Sequence, residues 1–159
     1  MNQSSFAKWL KFIVIGVGAC LTLLCAWIIP ALGQSLQLQY PEISHFFHPW
    51  LIFLWISAIP CYAVLFIAWK IFTNIGNDES FTIRNAKYLK WVSILAAGDS
   101  FFFFAVNFIF WMFNMNHPGI MIVSLIVVTF GVAIAIIAAA LSHLVLKAAD
   151  LQVQSDFTI

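Results

Sequence analysis

Charge is scarce in this chain. Seven basic and six acidic side chains serve 159 residues, whereas a soluble domain covers its surface with about 25% charged residues. That shortage excludes an ordinary water-soluble globule, so most of the chain must have hydrocarbon for a solvent. Lys and Arg are missing altogether from two of the polar segments between hydrophobic runs, 34–49 and 114–119. Cysteine is limited to Cys20, Cys25 and Cys61, each inside an apolar run. No loop pair is left for a disulfide framework, and the thiols read as small buried hydrophobes. The chain also has no phosphate-binding glycine loop, nucleophile elbow, metalloprotease signature or Cys-x-x-Cys pair. These absences remove the familiar sequence routes to catalysis. No enzymatic activity, cofactor or resident metal is expected.

What is present is hydrophobic length. Apolar residues make up 64% of the chain and aromatics 17%, with a mean hydropathy of +1.01. Four long runs stand out, at about 12–32, 50–72, 91–113 and 120–146. About 20 residues at roughly 1.5 Å rise cross a bilayer core as a helix. Backbone in lipid must satisfy its own hydrogen bonds, which leaves helices or a closed barrel. The runs are too continuous for the alternating pattern of barrel strands. The expected fold is therefore all-α and polytopic: one transmembrane domain over 1–159, a bundle of four helices.

Local signals bound the spans. The first run is read as a retained span closed by Pro30, Gly33 and Gln34. Ala31-Leu32-Gly33 resembles a signal cleavage site, but the run is longer than the roughly 7–15 residues of a signal core. Residues 35–40 alternate apolar and polar, which predicts an extended segment on the headgroup surface that ends at Pro41. His45, Phe46, Phe47, His48 and Trp50 then form an aromatic belt. Pro60 predicts a kink in the second span. All seven basic residues, Lys8, Lys11, Lys70, Arg84, Lys87, Lys90 and Lys147, fall on one side of a four-span chain. Short-loop Lys/Arg asymmetry sets orientation. Both termini and the central loop are expected in the cytoplasm, with the chain in the plasma membrane.

The central stretch 77–90 holds three of the basic and two of the acidic residues. Thr82 is placed to cap a helix beginning at Ile83. Arg84, Lys87 and Lys90 share one side of that helix, with Ile83, Ala86 and Leu89 beside them. This predicts a short interfacial helix running straight into the third span. The segment Ser80-Phe81-Thr82-Ile83 is echoed at the end of the chain by Asp156-Phe157-Thr158-Ile159.

Phe81, Thr82, Asn85 and Leu89, followed by Asp156 to Ile159 at the end, resemble the recurring pattern of a bacterial family of small four-span membrane proteins, the YoaS type. The family's biochemical activity is unassigned, so the resemblance transfers no catalytic residue. It implies a genomic setting beside a small helix-turn-helix regulator, and hence a non-enzymatic membrane sensor or sequestering partner that holds or releases that cytoplasmic regulator. In that reading Arg84 and Lys87 supply electrostatic docking, Phe81 and Phe157 the apolar anchors, with Thr82 and Asn85 completing the face. Direct nucleic-acid binding is not expected, because a juxtamembrane stripe offers too little surface. The plainer reading of the basic stripe is an anchor on anionic headgroups.

Inside the membrane, Asp99 lies roughly 13 Å beyond Lys90 at helical rise. A carboxyl at that depth costs about 2.5–3.5 kcal/mol on insertion scales. It is read either as an ion, proton or ligand site of a small transporter or immunity-type protein, or as a structural carboxyl bonded to Ser57, Tyr62 or Ser142. Asn107 either shares its inward face or locks a helix contact. Gly131, Ala135 and Ala139 form a small-residue ridge for close helix packing, within the chain or against a second copy. His45, His48, Glu42 and His117 have zinc-compatible chemistry, but interfacial histidines beside aromatics usually rest at the headgroups, and no metal is assigned.

Overall fold

The computed structural model describes residues 3–39 and 41–156. The described residues are helical almost throughout. Helix α1 (Gln3–Leu23) passes through a π-helical turn (Leu24–Ile28) into α2 (Ile29–Gln39), and a 3₁₀ turn (Pro41–Phe46) leads to α3 (Phe47–Gly76). Helices α4 (Ile83–Met112) and α5 (Pro118–Asp156) complete the chain. Four helical stretches are long and apolar enough to cross a membrane: Gln3–Ser35, Ser44–Gly76, Ile83–Met112 and Pro118–Gln154.

The first stretch departs from expectation. Residues 35–39 are helical rather than extended, and Pro30 lies inside the helical path rather than ending it. The π turn explains how. The Ile29 N–H bonds back to the Leu24 carbonyl, and Pro30 has no N–H to offer, so the Cys25 carbonyl loses its partner within the helix. The Trp55 indole N–H of α3 donates to it at 3.1 Å. Neighbouring helices rescue proline-freed carbonyls in this way in membranes. At the other end of the chain, helix α5 continues past the apolar run to Asp156, about 58 Å at 1.5 Å per residue.

The four spans lie in a row. Helix α1 packs on α3, α3 on α4 and α4 on α5; among the described residues no Cα of α5 comes within 8 Å of α1 or α3. The bundle is thus open. Its accessible surface is 10962 Å², against about 8,000 Å² for a soluble chain of 17.9 kDa. Among the described residues, the buried apolar ones are six alanines, Val92 and Phe53. Large side chains face outward to lipid and small ones face the neighbouring helix, as expected where lipid is as apolar as leucine.

Contacts along the row combine small residues with specific bonds. Helices α1 and α3 share the Thr22–Tyr62 hydroxyl bond at 2.9 Å. Helices α3 and α4 interlock through aromatics: Phe53 meets the rings of Phe102, Phe103 and Phe110, and Trp50 also meets Phe110. Helix α5 approaches α4 so closely that a Cβ on Gly131 would overlap the Ser100 hydroxyl, which already donates to the Ala96 carbonyl at 2.7 Å. Ala135 and Ala138 are buried on the same face, whereas Ala139 is exposed. Ala139 lines the groove that α5 forms with Ser93 and Ala97 of α4, so small residues recur along this face from Gly131 through Ala135 to Ala138 and Ala139.

Both ends of α4 are joined to their neighbours by tight helix stops. Asp78 (φ 62°) and Asn114 (φ 56°) adopt the left-handed conformation that Asp and Asn tolerate. Glu79 N–H reaches the Asn74 carbonyl and Asp78 N–H that of Ile75; Met115 N–H reaches Phe110 and Asn114 N–H reaches Trp111. Each pair is the Schellman pattern with a non-glycine residue at its left-handed position.

The Gly131 contact is open to test. Gly131→Ala should lower stability by about 1–3 kcal/mol through overpacking, read as earlier thermal unfolding in detergent. Combined with Ser100→Gly it should cost less than the two changes summed, because the changes share one contact.

Candidate functional site

The most highly organised polar feature is the loop 77–82 between α3 and α4. Thr82 lies in the extended region and its Oγ1 accepts from the Asn85 N–H at 3.3 Å, the expected cap. Asn85 then does what a capping glutamate could not. Its Nδ2 donates to the carbonyls of Glu79 (2.9 Å) and Ser80 (3.1 Å), while its Oδ1 accepts from Asn74 Nδ2 at 2.7 Å. One buried amide, 1% exposed, thus closes the loop on itself and ties α3 to α4.

The other residues assigned to a partner face divide. Phe81 is 57% exposed on the outside of this closed loop, and Arg84 and Lys87 are exposed on the first turns of α4. Asn85 does not join them: every donor and acceptor of its amide is used internally, so its role is to shape the loop rather than to face a partner. Thr82 is half-buried as the cap. Phe157 lies outside the described residues. The signal for the role of Asn85 is the Thr-x-x-Asn spacing, a capping-box geometry with a donating amide at its fourth position, together with Asn74 before the break.

All seven basic residues fall at this end of the molecule. Lys11 Nζ stands 5.2 Å from the Trp69 ring, and Lys70 Nζ lies 4.6 Å from Phe66 and 5.9 Å from Tyr88. A Cβ on Gly76 would touch Ala7, and Ser142 Oγ donates to the Ala86 carbonyl at 2.7 Å. These contacts bring the start of α1, the end of α3, the start of α4 and the late part of α5 to one level. Arg84, Lys87 and Lys90 are exposed there on α4, as are Lys8, Lys70 and Lys147 on the other helices.

Midway along α4, Asp99 accepts from Ser57 Oγ of α3 at 2.9 Å. Of the three partners named for it, only Ser57 serves; Tyr62 is engaged with Thr22, and Ser142 with Ala86. Asp99 is half-buried. Asn107 is wholly buried, 0% exposed, and donates to the Phe103 carbonyl at 2.8 Å. Asn116 Nδ2 donates to both Asn107 oxygens at 3.2 Å. Asn107 therefore locks the α4–α5 turn and does not join Asp99. His45 and His48 are exposed, and His117 Nδ1 accepts from Gly119 N–H at 3.1 Å. Among the described residues no three His, Cys, Asp or Glu side chains converge.

An all-helical chain with four spans and one polar, basic end defines an integral, multi-pass membrane protein. Residues 31–159 match the family model described as "Protein of unknown function (DUF2975)", and the chain belongs to that family. It is 27% identical to the uncharacterized membrane protein YoaS of Bacillus subtilis (strain 168), over the full length of both chains. No solved structure matches it.

Loss of the amide hub should be measurable. Asn85→Ala leaves the Glu79 and Ser80 carbonyls and Asn74 Nδ2 without this partner, a cost of about 2 kcal/mol. Faster proteolytic cleavage within 77–82 and a lower unfolding temperature are the expected readouts.

Proposed function

We propose that the protein is a non-enzymatic anchor in the bacterial plasma membrane, with both termini and the 77–82 loop in the cytoplasm, where it docks a cytoplasmic protein. The observation that carries this reading is the closed loop itself: Phe81 stands exposed on a frame fixed by Asn85, with Arg84 and Lys87 beside it. An aromatic flanked by arginine is the composition of interface hot spots, and a pre-ordered loop lowers the entropy lost on binding. The stripe favours a partner with an acidic surface. A small helix-turn-helix regulator is the partner class implied by the family resemblance, held or released at this surface. Phe157 would add a second apolar anchor.

Asp99 favours a second reading, a small transporter, permeation subunit or immunity-type protein. An ionisable side chain midway along a span is costly unless it serves a site.

The docking reading is tested by co-purification from native membranes in mild detergent. Charge reversal at Arg84 and Lys87 together with Phe81→Ala should reduce recovery of the partner at least about tenfold, the equivalent of about 1.4 kcal/mol, with insertion unchanged. Undiminished recovery would sink it.

The transport reading is tested separately. Asp99→Asn keeps an acceptor for Ser57 and should leave the fold intact, so altered ion flux in proteoliposomes would support that role. Orientation is read from single cysteines placed at 80 and 117 in a cysteine-free background. Only position 117 should react with an impermeant thiol reagent added outside intact cells.

A further inference from the structure

At the end of the molecule away from the basic residues, α2, the start of α3 and the α4–α5 corner enclose a cavity of about 370 Å³. Its walls include Leu32, Phe47, Leu54, Met115 and Ile120, with Gln37 the sole amide side chain among them. The cavity exists because α2 persists. The π turn and Pro30 carry the first span on as helix past the start of α3, and Phe47 seats on Gly33 so closely that a Cβ there would overlap its ring. Gln37 is fixed by donating from Nε2 to the Ser44 carbonyl at 3.2 Å, which leaves Oε1 as the amide's acceptor.

The setting restricts the occupant. The volume is at the low end of the roughly 300–1,000 Å³ typical of ligand pockets, and nearly all of the lining is apolar. The polar segments around it, 34–49 and 114–119, contain no Lys or Arg, and Glu42 is their one charged residue. A phosphate headgroup would find no Lys or Arg in these segments, whereas a hydroxyl headgroup can donate to an amide oxygen. Trp50 in the wall marks the depth at which headgroups meet acyl chains.

We propose that this cavity binds an uncharged, hydroxyl-bearing, single-chain amphiphile of the monoacylglycerol kind, with its chain between α2, α3 and the α4–α5 corner and its hydroxyl at Gln37. The site is independent of the docking surface at the opposite end.

The test uses the full chain in nanodiscs of phosphatidylglycerol and phosphatidylethanolamine with a diazirine-bearing monoacylglycerol. Photolabelling should be saturable, should map to the segments carrying Leu32, Leu54 and Met115 to Ile120, and should be displaced by unlabelled monoacylglycerol but not by added phosphatidylglycerol. Leu54→Trp, which fills the cavity, should abolish the saturable component. Gln37→Leu, which keeps the cavity's size but removes the hydroxyl's acceptor, should raise the amount of unlabelled monoacylglycerol needed for half displacement, and unchanged displacement would overturn the proposal; it stands as the test if the tryptophan variant does not fold. Label spread without saturation over the lipid-facing sides of all spans would overturn the proposal. So would equal displacement by phosphatidylglycerol in the parent chain, or unchanged labelling in a folded Leu54→Trp variant.

Discussion

In hydrocarbon a polar group without a partner costs several kcal/mol, and the architecture of this chain follows from where its few polar groups find theirs. Helix α4 carries most of them. Asn85 at its start, Asp99 near its middle and Asn107 towards its end each bond to a different segment: the 77–82 loop with the end of α3, the centre of α3, and the α4–α5 turn. Apolar packing cannot select a register here, because lipid competes for every leucine on equal terms. Directional bonds can. Sliding α3 by one residue against α4 would break Asn74–Asn85 and Ser57–Asp99 together. The interhelical register of the central pair is thus held by two hydrogen bonds and then filled by the Phe53 cluster.

The outer helices are held differently. Helix α1 meets α3 through one hydroxyl pair and one indole-to-carbonyl bond, and that carbonyl is free only because proline and the π turn removed its own donor. A local defect in one helix has become the acceptor for its neighbour. Helix α5 depends on closeness, with Gly131 against Ser100 and small residues above and below. Short-range dispersion acts there beside the Ser142–Ala86 hydrogen bond at the basic end. An open row follows, since neither device reaches beyond a single neighbour.

Much of this was legible from sequence, and the reasons are physical. Span number and the one-sided placement of the cations were readable because hydrophobic length and Lys/Arg position act along the chain, with no knowledge of packing. Thr82 as a cap is local in the same sense. The positions that read differently are decided by partners or by helical continuity outside their own local pattern. Pro30 reads as a stop until Trp55 supplies the missing donor. The alternation at 35–39 has the period of an extended segment, and the continuing helix of α2 overrides it. Asn85 beside Arg84 and Lys87 reads as part of a surface until Asn74 and two loop carbonyls take up its amide. Ala138 escaped the four-residue step from Gly131 and is buried beside Ala135. Asp99 offered three candidate hydroxyls, and only the register of α3 against α4 distinguishes Ser57 from the others.

The two ends of the α3–α4 pair differ in the kind of interaction that joins them. At the basic end the Asn85 amide is saturated, so displacement there leaves donors and acceptors unpaired in a buried place, an all-or-none cost. At the other end the joint is a set of tilted aromatic contacts between Trp50, Phe53, Phe102, Phe103 and Phe110. Ring contacts of that kind are spread over many atoms and lose energy gradually as rings slide. The stiff joint therefore lies beside the loop that presents Phe81, and the compliant one beside the cavity under Gln37. Among the described residues, Ser57–Asp99 is the hydrogen bond that joins these two helices between the two ends. A rearrangement that opened the aromatic end would pivot about the amide hub and load that single bond first. The carboxyl that is most costly to bury is thus placed where relative motion of the central helices would be felt.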